Sequence, residues 1–428
     1  HSRKGKGKDM GREGIIIGGG ASGLMAAISA AGAGASVTVL EHMPQPGKKL
    51  LSTGNGKCNL TNRFLDESCY RSQNPSFPME VIGKFPVSRT LSFFRELGIL
   101  TDDKNGYVYP ASNQARTVLN GLLGRAEELN VRIVTDCPVS ETGTEDGRFF
   151  AQTDRGRFFG DFLILAPGSK AAPKTGSDGS GYELARAFGH RILKPLPALT
   201  QLHCEGRFFK ELSGIRLRAG AALYSLKPGG KERFLAADTG EVQLTDYGIS
   251  GIPVFQISRY AALSLDAKER VRAVLDFFPS AGQKELGRML REQRDYLKNR
   301  PASVFLDGFF PWQLAKVLLT QAGIRKDLPS GQITDEEISR LASLIKNFSA
   351  AVTAVSSFSQ AQVCLGGVDT LQVKSETMES RLVPGLYFAG EILDVDGICG
   401  GYNLQWAWSS GWLAGRSAAL KSRKKAGK

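Results

Sequence analysis

Between Ile15 and Leu40 the chain reads as three apolar blocks. Ile15-Ile16-Ile17 is a short β-branched run of the kind a buried parallel strand carries. Residues 24–33, rich in Ala and Leu, predict a helix. Ser36-Val37-Thr38-Val39-Leu40 predicts a second strand, closed by Glu41. Strand, helix and strand at this spacing make one βαβ unit. The pattern then loosens. Residues 43–63 read as a long loop, 88–97 and 114–129 as helices, and 132–134 as a short strand. Residues 149–153 and 157–161 read as a hairpin leading into a buried-strand run at 162–166. Lys194-Pro195-Leu196-Pro197 reads as a linker. From there to about 278, alternating stretches at 221–226, 233–237 and 271–277 predict a small β-rich module; helical periodicity then dominates 283–347, strongest at 284–299 and 335–346. A strand at 385–389 and a helix at 403–420 return to the opening style, and Trp406, Trp408 and Trp412 on that helix read as core packing. The expected fold is α/β: a Rossmann-like nucleotide-binding domain over 12–194 and 361–420, interrupted by an inserted domain over 195–360. The insert divides into a β-rich part (195–278) and a helical part (279–350).

The turn from first strand to first helix is Gly18-x-Gly20-x-x-Gly23. In a dinucleotide fold the first glycine permits the tight turn, the second lets backbone approach a pyrophosphate, and the third lets helix and strand pack closely. The helix N-terminus offers unpaired N–H groups and a partial positive charge to the phosphates. Glu41, 21 residues after Gly20, stands where an acid accepts hydrogen bonds from ribose hydroxyls. A 2′-phosphate would be repelled there, which suits FAD or NAD and disfavours NADP at this site.

The chain has 428 residues and a formal net charge of +13, which by itself would suggest nucleic acid or an anionic membrane. Its placement weakens that reading. Residues 1–12 carry five basic side chains against one acid, and residues 416–428 carry six against none, so most of the excess sits at the two ends and the body is near neutral. The uncharged stretch 14–40 imitates a signal peptide or membrane span, but seven glycines interrupt it. Residues 1–10 take no part in the fold reading. The six cysteines form no C-x-x-C pair and are expected as reduced thiols in the cytoplasm; a redox disulfide through Cys58 is disfavoured, since the nearest partner, Cys69, is eleven residues away. The four histidines show no metal-binding spacing, so no metal is expected, and His203-Cys204 reads as strand packing.

Two longer segments carry a specific resemblance. One is Gly47-Lys48-Lys49-Leu50-Leu51-Ser52-Thr53-Gly54-Asn55-Gly56-Lys57-Cys58-Asn59-Leu60-Thr61-Asn62. The other runs from Gly385-Leu386-Tyr387-Phe388-Ala389-Gly390-Glu391 through Asp394 to Gly400-Gly401-Tyr402-Asn403-Leu404-Gln405-Trp406-Ala407. With the glycine fingerprint they resemble the BaiN/YhiN (HI0933-like) family of bacterial flavoproteins. Thr245-Asp246-Tyr247-Gly248-Ile249-Ser250-Gly251 is similar to the family's F-T-x-x-G-I-S-G stretch, with Leu244 in place of Phe. Residues 175–182 are similar to its T-G-S-x-G-D-G-Y loop, with Ser180 in place of Asp. Ala166-Pro167-Gly168-Ser169 stands where such flavoproteins show A-T-G-G.

The resemblance implies a FAD-binding domain of the GR2 type and an NAD(P)/FAD-dependent oxidoreductase, aminoacetone oxidase-like or acting on bile-acid intermediates. The implied cofactor set is Gly18, Gly20, Ala21, Ser22, Gly23 and Glu41 at the adenine and pyrophosphate end. Lys48, Lys49, Ser52, Gly54, Asn55, Gly56, Cys58 and Asn59 follow in the loop, with the lysines offering positive charge to phosphates. Val134 and Gly168 lie beside strand ends. At the flavin end come Gly390, Glu391, Asp394, Gly401, Tyr402 and Asn403, with Glu391 or Asp394 accepting from the ribityl chain and the last helix directing its dipole at the pyrimidine edge. The insert is expected to cover the flavin and form the substrate pocket, with Thr245, Tyr247 and Ser250 as catalytic candidates. Hydride would pass through flavin N5 between NAD(P)H or a small organic substrate and an unsaturated acceptor or dioxygen. No second G-x-G-x-x-G is present, so NADH or NADPH would dock transiently. The alternative is an RNA-associated flavoprotein, similar to tRNA-modifying enzymes, using its basic ends; a third reading has a cofactor without catalysis. A small-molecule substrate is expected, with no membrane and nucleic acid disfavoured. Oligomeric state and substrate identity stay open.

Overall fold

The structure is a computed structural model that describes residues 11–421. The chain divides into two compact units. One takes the chain up to Leu196 and again from Gln362 onward; the other is Pro197–Ala361.

The first unit is built on a five-stranded parallel sheet. β1 (Glu13–Ile17) lies at its centre, flanked by β2 (Ser36–Leu40) and by strand Phe162–Leu165; Arg132–Val134 and Leu386–Phe388 form the two edges. Ile15 stands opposite Thr38 on one side and Leu163 on the other. The helix that follows β1 covers one face and strand Gly156–Gly160, from a three-stranded antiparallel sheet, lies against the other, so β1 has no wet side, and Ile15, Ile16 and Ile17 are all buried. That is why its sequence is a continuous apolar run and does not alternate. Helix α1 (Ala21–Gly32) packs lengthwise on the C-terminal helix Tyr402–Leu420. The contact is backbone to backbone. A Cβ on Gly411 would stand 2.4 Å from the Ser22 carbonyl oxygen, and one on Gly415 2.1 Å from that of Ala26. Trp406 and Trp408 are fully buried, and their indole N–H groups donate to the carbonyls of Gly390 (3.0 Å) and Leu60 (2.9 Å).

Two stretches of this unit depart from expectation. Residues 43–63 hold a short helix, Lys48–Ser52, a tight turn, Thr53–Gly56, and the pair Thr61–Asn62 bonded to strand Tyr107–Pro110. The helix buries only Leu50 and starts from Gly47 in the left-handed region, so it has no apolar period to read. Residues 194–197 are strand, within Ile192–Ala198, pairing with Val363–Val368 in a two-stranded sheet. Both members are edges, where proline costs no ladder bond.

The second unit is a closed six-stranded barrel with helices packed on it. The strand order is Leu202–Cys204, Gly248–Ser250, Glu232–Thr245, Arg216–Leu226, Arg270–Asp276 and Phe348–Val355. The helical stretch does not form a separate module. Leu286, Leu314, Leu318, Ile338 and Ile345 share one core with Leu202, Val242, Leu244 and Ile249 of the barrel, and the chain returns after the helices to supply the closing strand. Inside the region read as β-rich lies the helix Ile252–Asp266, which starts after Gly251 with Pro253 in its first turn. Among the described residues no helix is long and apolar enough to cross a membrane.

Candidate functional site

The three fingerprint glycines have different reasons to be glycine. Gly18 has φ +101°, and a Cβ there would stand 2.2 Å from the Ala166 carbonyl oxygen. A Cβ on Gly23 would stand 1.9 Å from the Gly18 carbonyl oxygen. Both are demanded by packing. Gly20 is not: its φ is −83°, open to any residue, and a Cβ would meet nothing within 4 Å. The space in front of it borders the first turn of α1, through Ala21, Ser22 and Gly23, which has neither a side-chain cap nor an acid. Unpaired N–H groups and the positive end of the dipole therefore face that opening. Glu41 is buried at the end of β2 and held by two backbone donors, Gly19 N–H on Oε2 and Met43 N–H on Oε1, each at 2.8 Å. Its own N–H donates to the Val134 carbonyl at 2.9 Å, which brings Val134 to the same edge. A carboxylate so fixed keeps further acceptor positions for a ligand's hydroxyls.

The two long motifs meet at an ion pair. Lys49 Nζ lies 2.6 Å from Glu391 Oε2 and donates to the Ala171 carbonyl at 3.3 Å, and Ser169 Oγ donates to the same Glu391 oxygen at 3.1 Å. Lys49 is thus paired with Glu391. Ser169, at the position where the family pattern has glycine, supplies one of the bonds. Neighbouring Gly168 has φ +80°, and a Cβ on it would stand 2.7 Å from Ser177 Oγ. Lys48 is exposed, as are Gly54, Asn55 and Gly56, all three in the left-handed region. Ser52 turns its hydroxyl back onto the Lys49 carbonyl at 2.8 Å. Cys58 is buried at the end of this loop; burial pushes its thiol up to about 12, against a hydrogen bond with Thr53. It and the other five cysteines stand outside any disulfide. Asn59 is buried, its Oδ1 has no protein partner, and a Cβ on Gly401 would come within 2.9 Å of that oxygen.

At the C-terminal motif Gly390 (φ +77°) sits where a Cβ would collide with Ser22 Oγ at 2.3 Å, which brings this segment against the start of α1. The structure separates the two carboxylates left as alternatives. Glu391 joins the Lys49 cluster, whereas Asp394 Oδ2 accepts the Gln73 N–H at 2.8 Å. Gly401, at φ +96°, opens the last helix with no side-chain cap. The side chains after it are engaged within the protein. Tyr402 OH donates to the Phe64 carbonyl at 2.7 Å, and Asn403 clasps Gly397, accepting from its N–H at 2.8 Å and donating to its carbonyl at 2.9 Å. What this helix presents to a ligand is its backbone.

In the second unit, Thr245 ends a barrel strand, Tyr247 lies in the turn that follows, and Ser250 is buried in Gly248–Ser250. His203, read as packing, stacks on Tyr247 with ring centroids 4.7 Å apart and is hydrogen-bonded through Nε2 to Ser356 Oγ at 3.0 Å. Its lack of a partnered spacing concealed this, as the 153 residues between His203 and Ser356 concealed the bond. Among the described residues no cluster of three or more His, Cys, Asp or Glu could hold a metal.

An opening walled by two glycines that packing forbids to change, and kept clear by a third that packing would let change, belongs to the Rossmann-fold oxidoreductases of the flavoprotein type. Residues 12–417 match the HI0933-like protein Rossmann domain, and the chain belongs to that family. It is 43% identical, over 94% of its length and 98% of the relative's, to a 3-dehydro-bile acid delta(4,6)-reductase of Clostridium scindens. It is 30% identical to ribosomal RNA dihydrouridine synthases of Escherichia coli, over 93% of this chain and 96% of the relative, and of Haemophilus influenzae, over 95% and 98%.

Proposed function

We propose that the chain binds FAD along its first unit and reduces a carbon–carbon double bond conjugated to a carbonyl group. The observation that carries the cofactor is the space at Gly20, bounded by the uncapped start of α1 and the fixed carboxylate of Glu41. The residues fit a dinucleotide. Backbone N–H groups of Ala21, Ser22 and Gly23 would hold the pyrophosphate, and Glu41 would accept from the adenosine ribose. Glu391, oriented by Lys49 and Ser169, would accept from the ribityl hydroxyls. The uncapped N-terminus at Gly401, Tyr402 and Asn403 would stabilise negative charge at the pyrimidine edge of the ring. Bound FAD would supply a carrier that accepts a hydride from one substrate and gives it to another. Lys48, Ser52, Gly54, Asn55, Gly56, Cys58 and Asn59 would close the loop beside the cofactor.

The substrate class comes from chemistry the relatives' names share. A 3-oxo group with 4,6-unsaturation is a dienone, and making dihydrouridine saturates the ring bond conjugated to a uracil carbonyl. In each case the carbonyl accepts the charge created when hydride adds at the far carbon. The higher identity to the bile-acid enzyme favours a small hydrophobic enone, with NADH or NADPH docking transiently as donor. Thr245, Tyr247 and Ser250 would act in turnover and not in holding the flavin. A second reading, reduction of uridine in RNA, is favoured by two relatives and by the basic ends, most of which lie outside the described residues.

The test begins with the visible spectrum of the purified protein and identification of the heat-released cofactor. FAD, bleached without air by NADH or NADPH and restored by a 3-oxo-4,6-diene steroid, is the expected result. Colourless protein that refuses added FAD overturns the proposal. Restoration by ribosomal RNA and not by the steroid selects the second reading; salt-sensitive RNA binding lost on removing residues 1–10 and 422–428 would accompany it.

A further inference from the structure

The first unit carries a second opening, at the far end of its last helix from the cofactor groove. We propose that this opening binds a small amphipathic anion, an apolar body with one acidic group. The acid would lie between Lys84 and Arg416 and the body against Trp412, Leu413 and Leu420. Nothing in this inference depends on the flavin reading.

One wall is the second half of the helix Tyr402–Leu420. Gly411 and Gly415 press that helix onto α1. Leu413 and Ser417 each follow one of these glycines by two residues, about 200° around the helix, so they face away from α1. The other wall is the run 377–379, bridged to the strand Leu386–Phe388 through Glu379 and Tyr387, and Lys84 completes the lining. These residues border an open cavity of about 520 Å³, a size that suits a small molecule. From Gly401 to Arg416 the helix rises about 22 Å, which keeps this cavity apart from the end assigned to the cofactor.

The charges select the ligand. Glu379 is the carboxylate in the lining, and it is already engaged. Its Oε1 accepts from Lys421 and from the Gly385 N–H at 2.8 Å, and its Oε2 pairs with Lys374 at 3.0 Å. Lys84, Arg89 and Arg416 are exposed, and none of them pairs with a carboxylate among the described residues. Arg89 and Arg416 lie over one indole, 5.5 and 5.6 Å from the Trp412 ring centroid. Cations gathered on one ring repel each other unless an anion joins them. Past Lys421 the sequence adds four more basic residues and no acid, so an anion is drawn to this end of the unit. The apolar wall is preformed. Trp412 stacks on buried Phe85 with centroids 5.1 Å apart, and its carbonyl accepts the Ser29 hydroxyl at 2.7 Å. Leu420, in the same lining, is 58% exposed. A ligand of charge alone would leave this wall wet, and a neutral one would leave the cations unmatched.

Decanoate is the probe, titrated by calorimetry into the whole purified chain beside decanol and decylammonium, which have the same hydrocarbon body. Decanoate should bind one per chain and about tenfold more tightly than decanol, the worth of a charge-assisted hydrogen bond at a partly exposed rim. Decylammonium should not bind. Saturation should move the Trp412 indole N–H resonance, assigned by its loss in Trp412→Phe, and leave those of Trp406 and Trp408 in place. Arg416→Gln and Lys84→Gln should each weaken decanoate about tenfold and leave decanol unchanged, whereas Arg416→Lys should recover most of the loss. Leu420→Ser should weaken decanoate and decanol alike, about threefold. These three side chains are exposed, and unmoved Trp406 and Trp408 resonances in each variant show the fold kept. Decanoate taken up without saturation at one per chain, decanol as tight as decanoate, a Trp412 resonance that does not move, or decanoate affinity within twofold of wild type when Lys84→Gln and Arg416→Gln are combined would each overturn the proposal.

Discussion

Gly20→Asp separates what the fold needs from what the cofactor needs, because the two respond in opposite directions. Gly20 is the N-cap of α1, with φ −83° and ψ −167°, the extended geometry of a capping residue, and a Cβ there meets nothing within 4 Å. Aspartate is a better cap than glycine by a few tenths of a kcal/mol and adds a favourable charge at the dipole, so the apoprotein should gain about 0.5–1 kcal/mol. The same carboxylate would stand in the space assigned to the pyrophosphate. Two like charges about 4 Å apart at an effective dielectric near 20 repel by about 4 kcal/mol, which corresponds to FAD affinity lower by roughly two to three orders of magnitude. Urea unfolding of the apoprotein measures the first effect, and quenching of flavin fluorescence during titration measures the second. Gly23→Ala is the contrast: its Cβ, 1.9 Å from the Gly18 carbonyl, should cost the apoprotein about 1–3 kcal/mol or more. If Gly20→Asp binds FAD within threefold of wild type, or destabilises the apoprotein, the assignment of that space is wrong.

Lys49→Met and Glu391→Gln, singly and together, should give a coupling of about 1–2 kcal/mol in urea unfolding, since each single change strands the other half of a largely covered pair. Additive effects would mean the pair contributes nothing. Burial lowers His190 to about 4, with Asp369 opposing the shift. Between pH 6.5 and 4 the unfolded chain therefore binds a proton that the native state refuses, and stability falls as pH falls, by up to about 3 kcal/mol; His190→Gln should flatten that slope in unfolding measured at pH 7 and pH 5. The Cys58 thiol, raised to about 12, should resist a thiol reagent at pH 8 in the native protein and react fully in denaturant. Gly415→Ala, with its Cβ 2.1 Å from the Ala26 carbonyl, should lower the melting temperature by several degrees, whereas Gly32→Ala, with nothing within 4 Å, should not.

What could be read from residues alone was local and doubly encoded. β1, α1 and β2 were legible because composition, period and glycine spacing agree there, and Gly18 and Gly23 mark contacts within a few residues or at a neighbouring strand. The helix Lys48–Ser52 was not, because one buried leucine makes no period. The closing strand Phe348–Val355 was not, because its partners, Leu202–Cys204 and Arg270–Asp276, lie across the helical stretch. The site shows the same division. Gly20 and Glu41 announce themselves by spacing, but the bond between Lys49 and Glu391 spans 342 residues. Asn403 and Tyr402 look like ligand contacts until the structure shows their side chains occupied by Gly397 and Phe64. Polar side chains beside a site serve either ligand or scaffold, and only geometry distinguishes them.

The parallel sheet has a consequence for how the protein is made. Its edge strand Leu386–Phe388 and the helix that locks onto α1 are synthesised after the whole of Pro197–Ala361. A growing chain therefore presents β1, α1 and β2 early and holds them unfinished while Pro197–Ala361, with a core of its own, emerges and folds. Until the closing helix leaves the ribosome, the apolar flank of α1 has no cover and is a target for chaperones. On the proposed site, flavin is captured only after this helix is made, and a nascent chain halted before Leu386 should carry a structured middle and no yellow colour.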